Sequence, residues 1–152
     1  MEEKQLQELM NSAQNGDAIA QLQLGEYLLD KKDFDTALPW FKEAIRNGNP
    51  NAAARANDLG YDIQVGQNGR EVNTAVAFKL YEISAEGGCT VGMNNFAYCL
   101  SAGVGTVVDR NKAFEWWKKS VELGDAWGMA QLAWCYENGF GTEQDMTAAA
   151  TY

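Results

Sequence analysis

Histidine is absent from the 152-residue sequence. That absence removes the commonest general base and metal ligand, together with every Ser-His or Cys-His nucleophilic arrangement. Positive charge is scarce as well, with 12 Lys and Arg against 21 Asp and Glu, a net charge of −9. Nucleic-acid binding depends on clustered cations that release counterions, and no such cluster occurs here. A basic peptide or protein is the partner this charge would attract, although acidity also serves solubility. Cysteine is limited to three residues, none in a C-x-x-C pair. Cys89 and Cys99 fall ten residues apart, about 15 Å along one helix and too far for a disulfide. Neither a zinc site nor a disulfide framework is expected, and no cofactor is implied. Prolines occur only at Pro39 and Pro50, and with alanine abundant this favours helix over sheet.

No apolar run approaches the roughly 18 to 20 residues of a membrane span. The opening Met1-Glu2-Glu3-Lys4-Gln5 lacks the basic and apolar segments of a signal peptide, so a cytoplasmic address is expected.

What the sequence does have is an internal repeat. Laid over residues 124–152, residues 88–116 match without a gap at ten of 29 positions. The matches are Gly88/Gly124, Gly92/Gly128, Met93/Met129, Ala97/Ala133, Cys99/Cys135, Gly103/Gly139, Gly105/Gly141, Thr106/Thr142, Asp109/Asp145 and Ala113/Ala149. A second pattern starts on a small residue, with bulky residues three and four later, an apolar one at eight and glycine at eleven. It fits Ala113, Trp116, Trp117, Val121, Gly124; Ala77, Leu80, Tyr81, Ala85, Gly88; and Ala37, Trp40, Phe41, Ile45, Gly48. These spacings describe one apolar stripe of a helix closed by a left-handed glycine cap.

The pattern predicts helices near 2–15, 17–30, 34–47, 50–65, 72–87, 89–102, 110–123 and 125–138, with a final stub from about 145. Asp17, Asn49 and Asp125 are expected to cap the helices that follow them, and Pro50 suits a first helical turn. Cys89 is a poor cap. Each helix pair cannot bury its own stripe, so stacking of successive hairpins must supply the core. The expected architecture is all-α: a solenoid of antiparallel helix hairpins forming one repeat domain over 1–152. It comprises a leading helix (1–15), a TPR-like repeat (16–48), an irregular repeat (49–88), a regular repeat (89–124) and an incomplete one (125–152). The irregular unit is expected to carry about three extra residues in its first helix and a changed loop, Gly66-Gln67-Asn68-Gly69.

The segments Gly103-Val104-Gly105 through Asp109 with Ala113, Trp116 and Trp117, and Gly139-Phe140-Gly141 through Asp145 with Ala149, resemble the Sel1-like repeat, a relative of the TPR. The resemblance implies a right-handed superhelix whose first helices (A) line the concave surface and whose second helices (B) carry the paired aromatics. It also implies a non-enzymatic scaffold or adaptor for a protein or peptide. A secreted branch of the family is stapled by cysteine pairs within each repeat, and those pairs are missing here.

Trp127, Trp134 and Tyr98 fall on A helices at positions the family leaves variable, and are candidate anchors for a partner. Asn94, Asn95 and Gln131 lie on the same helices, where carboxamides can bond a peptide backbone. Trp40, Tyr81, Trp116 and Trp117 belong to the core stripe. Two chemical alternatives arise from the sequence. The G-x-G loops precede helices as phosphate cradles do, but an acidic residue four positions after the second glycine would repel an anion. Paired carboxylates such as Glu115 and Glu122 could hydrolyse a glycan, yet their place on a B helix suits a solvated face. A third reading is self-association: the chain stops at Tyr152, three residues past Ala149, which leaves apolar surface open at an unfinished repeat.

Overall fold

The computed structural model describes residues 1–152 and contains helices only. They are α1 (Glu3–Gln14), α2 (Ala18–Asp30), α3 (Phe34–Arg46), α4 (Ala52–Val65), α5 (Thr74–Glu86), α6 (Thr90–Ala102), α7 (Arg110–Glu122), α8 (Ala126–Asn138) and α9 (Met146–Ala149). Helices α2/α3, α4/α5 and α6/α7 form hairpins, α8 and α9 begin another, and each hairpin packs on the next. The chain is thus an α-solenoid with α2, α4, α6 and α8 as A helices and α3, α5, α7 and α9 as B helices.

Asp17 and Asp125 each accept a backbone N–H from the first turn of the helix they precede, as the sequence predicts, and Asp109 and Asp145 do the same for α7 and α9. Cys89 makes no such bond. Asn49 differs from expectation. Its Oδ1 accepts the N–H of Asn51 at 2.9 Å, and its Nδ2 donates to Ala18 O at 3.1 Å. The bond delays α4 to Ala52, so Pro50 sits in a turn before the helix rather than in its first turn. Two of the extra residues expected in that helix therefore belong to the turn. A further one lies in the loop, where Gly66 and Asn68 take the left-handed φ values (76° and 55°) that Gly103 and Gly105 take in the next repeat (72° and 70°). Gly69, at 76°, is the insertion.

A single core of 23 buried residues runs from Leu29 to Cys135, and a smaller one of Ala13, Ala20 and Leu24 joins α1 to α2. In the pairs Trp40/Phe41 and Trp116/Trp117 the second member is interior and the first half-exposed, whereas Leu80 and Tyr81 are both buried. Phe41 and Tyr81 can lie flat on an A helix because Gly25 and Gly60 have no Cβ; one built there would stand 3.1 and 3.0 Å from the rings. Successive repeats meet through small residues. Gly92 abuts the buried Ser84 and Gly128 the buried Ser120, and any Cβ would collide with the serine hydroxyl.

Candidate functional site

Three polar ties hold the A helices side by side. Arg55 on α4 binds Glu26 on α2 through Nε and Nη2, both at 2.7 Å. Asn95 on α6 donates to Asn57 Oδ1 on α4 at 2.8 Å. Asn94 on α6 donates to Asp125 Oδ2, the cap of α8, at 2.7 Å. That same oxygen accepts from Ser120 Oγ at 3.1 Å and Gly128 N at 2.7 Å. Burial alone would raise the Asp125 pKa, but the donors from Asn94, Gly128 and Ser120 outweigh it and hold the carboxyl below its ordinary value. The guanidinium of Arg55 is stabilised by its bond to Glu26, against a desolvation cost, and by the fields of Glu26, Asp58 and Asp62.

Asn94 and Asn95 are therefore structural ties in this fold. Asn94 is 6% exposed and its Oδ1 has no donor. Gln131 is half-buried on α8. Tyr98, Trp127 and Trp134 are exposed by 52%, 61% and 46%. Trp134 leans on Phe140 of the G-x-G loop, with ring centroids 5.1 Å apart, while Trp127 has no aromatic neighbour.

These side chains fall into register. Tyr98 and Trp134 each precede their helix's C-cap glycine, Gly103 and Gly139, by five residues. Tyr61 stands at the same place before Gly66 on α4 and is 48% exposed. Sequence reasoning missed Tyr61 because the extra residues of the irregular repeat hide its register; counting back from the cap glycine recovers it. A second row lies seven residues earlier: Ile19, Ala54, Val91 and Trp127, all exposed. Seven residues are two helical turns, about 10.5 Å, so both rows share the outer face of the A helices. Other positions of the same helix (Met93, Phe96, Ala97 and Leu100 on α6) are buried.

No group of three or more His, Cys, Asp or Glu side chains is placed to hold a metal. The two carboxylates with displaced ionisation are Asp125 and Glu71, the latter beside Lys32, and both move down. A general acid needs the opposite displacement. Burial pushes the thiols of Cys99 and Cys135 up to about 11, which leaves them unreactive. No helix is long and apolar enough to cross a membrane.

A solenoid of helix hairpins, joined by G-x-G loops and capped by aspartate, defines the class. The Sel1 repeat family model matches residues 18–49, 56–89, 90–125 and 128–152, and the chain belongs to that family. The first of these matches covers the unit that reads as a plain TPR-like hairpin in sequence. Among solved structures, the chain is similar to a protective antigen of uropathogenic Escherichia coli, c5321, which displays an SLR fold. That match has a TM-score of 0.65 and 27% identity, over 96% of this chain and 31% of the antigen. It is also similar to a Sel1 repeat protein from Oxalobacter formigenes, with a TM-score of 0.63 and 23% identity over 96% of this chain and 59% of that one. The chain thus spans less than two thirds of either relative. Among curated proteins, none matches. Sel1-repeat proteins are generally protein-interaction scaffolds.

Proposed function

We propose that the chain is a non-catalytic scaffold that captures a protein or peptide on the outer face of its A helices. One observation carries the reading: exposed aromatics recur in register on α4, α6 and α8, helices that partly buried polar ties link to one another. Large aromatics left in water on a rigid surface are the usual anchors of an interface, because they bury much area at small entropic cost. The absence of histidine supports a role without catalysis. Cytoplasmic residence belongs to the same proposal and is supported by three free cysteines.

Selection from a random peptide library on the immobilised chain tests the docking face. Selected peptides should bind the parent chain and lose most affinity to Tyr98→Ala/Trp134→Ala, with its helical circular dichroism retained. Undiminished binding to that variant would remove the A-helix face from the function.

A further inference from the structure

Charge is divided unequally between the two layers of the solenoid. The A helices carry Glu26, Asp30, Asp58, Asp62 and Glu137 against one cation, Arg55, which is already paired with Glu26. Helices α3, α5 and α7 hold six acidic and seven basic residues. The acidic side chains flank the aromatic row. Asp58 and Asp62 lie three residues before and one after Tyr61, Glu137 three after Trp134, and Asp58 and Glu137 are exposed.

The aromatics of this row differ from others of the chain in a second, independent way. Elsewhere the chain supplies its own cations: Lys31 sits over Tyr27 on α2 at 5.6 Å, Lys119 over Trp116 on α7 at 4.2 Å, Lys112 over Phe96 on α6 at 5.4 Å and Arg110 over Phe140 of the loop at 5.2 Å. Tyr61, Tyr98, Trp127 and Trp134 have no such cover. Both features are met by a cationic N–H donor: ammonium or guanidinium groups stack on uncovered aromatic faces and pair with carboxylates.

Resting on the docking role proposed above, we infer that the occupant is a basic segment in extended conformation. It crosses α4, α6 and α8 along Tyr61, Tyr98 and Trp134, with a Lys or Arg at every third residue. The spacing follows from geometry. Packed helices lie roughly 8–10 Å apart, and an extended chain advances about 3.3 Å per residue. Three residues therefore carry it from one aromatic to the next.

Three labelled heptapeptides test this by fluorescence anisotropy at low and high salt: Lys-Gly-Ser-Lys-Gly-Ser-Lys, its isomer with the lysines contiguous, and the version with Glu for Lys. The spaced basic peptide should bind tightest, and binding should weaken as salt rises. Asp58→Asn/Glu137→Gln should weaken it about five- to tenfold, two exposed ion pairs at up to about 1 kcal/mol each. Glu82→Gln/Glu115→Gln removes the same charge from B helices and should change binding less than about twofold. Preference for the acidic peptide, equal binding of all three, binding of none, or equal loss in the two charge variants overturns the inference. In any of those cases, library-selected peptides that still depend on Tyr98 and Trp134 would leave the docking face standing, and their loss of that dependence would remove it too.

Discussion

Asn94 donates its Nδ2 to Asp125 Oδ2 across 2.7 Å, so a side chain in the middle of one A helix holds the cap of the next. The carboxylate at this joint does two jobs: it closes the first turn of α8 through Gly128 N, and it ties α6 and α7 to that turn.

Removing it should be felt as both. Asp125→Ala is expected to lower unfolding free energy by about 1–2 kcal/mol, the range of a lost N-cap. The pH dependence has a definite sign. Because the folded-state pKa lies below the ordinary value, the contribution is present above the unfolded pKa and fades as pH falls through the folded one. Urea titrations at pH 7 and pH 2.5 should show the gap between parent and variant shrinking at the lower pH. A gap that persists unchanged would mean that the carboxylate charge is not what the joint uses.

Glycines at the repeat loops should differ sharply in cost. At Gly105 and Gly141 a Cβ would strike the carbonyls of Thr74 and Arg110, and φ is +70° at both. At Gly48 φ is +87° but the space is open. Gly105→Ala and Gly141→Ala should each cost at least about 3 kcal/mol, combining strain with a backbone clash, and Gly48→Ala about 1 kcal/mol. Thermal melts of the three variants measure the order.

Thiol reactivity should follow burial. Cys99 and Cys135 are wholly buried with pKa values near 11, and Cys89 is partly exposed. At pH 8 an aromatic disulfide reagent should titrate one thiol in the native protein and three after denaturation. Rapid reaction of all three without denaturant would show that the central repeats open readily.

Surface and core aromatics should part company in stability. Phe96 is fully buried between Phe78 and Trp116, at centroid distances of 5.1 and 5.4 Å, and Phe96→Ala should cost about 3–5 kcal/mol. Trp127→Ala should stay within about 0.5 kcal/mol of the parent. Trp134→Ala should cost about 1 kcal/mol through its contact with Phe140. Chemical denaturation resolves all three.

The fold was legible in sequence because its determinants are local and repeated: a helical stripe, a capping residue and a glycine turn, the last at Gly16, Gly48, Gly88 and Gly124. The departures arise where the partner is distant in the chain. Asn49 reaches back 31 residues to Ala18, which shifts the start of α4. Asn94 and Asn95 find partners 31 and 38 residues away, so their roles as ties could not be read from composition. Tyr61 was invisible for a different reason, since the turn and loop insertions around α4 break the 36-residue count that revealed Tyr98 and Trp134.

Gly105 seats on the Thr74 carbonyl as Gly141 does on the Arg110 carbonyl, and Ser84 meets Gly92 as Ser120 meets Gly128. A gene duplication in frame of residues 89–124 would reproduce these contacts at the new joint, while the Asn94 side chain would face Cys89 in place of Asp125 there and lose its bond. The aromatic row would lengthen by one rung with each copy.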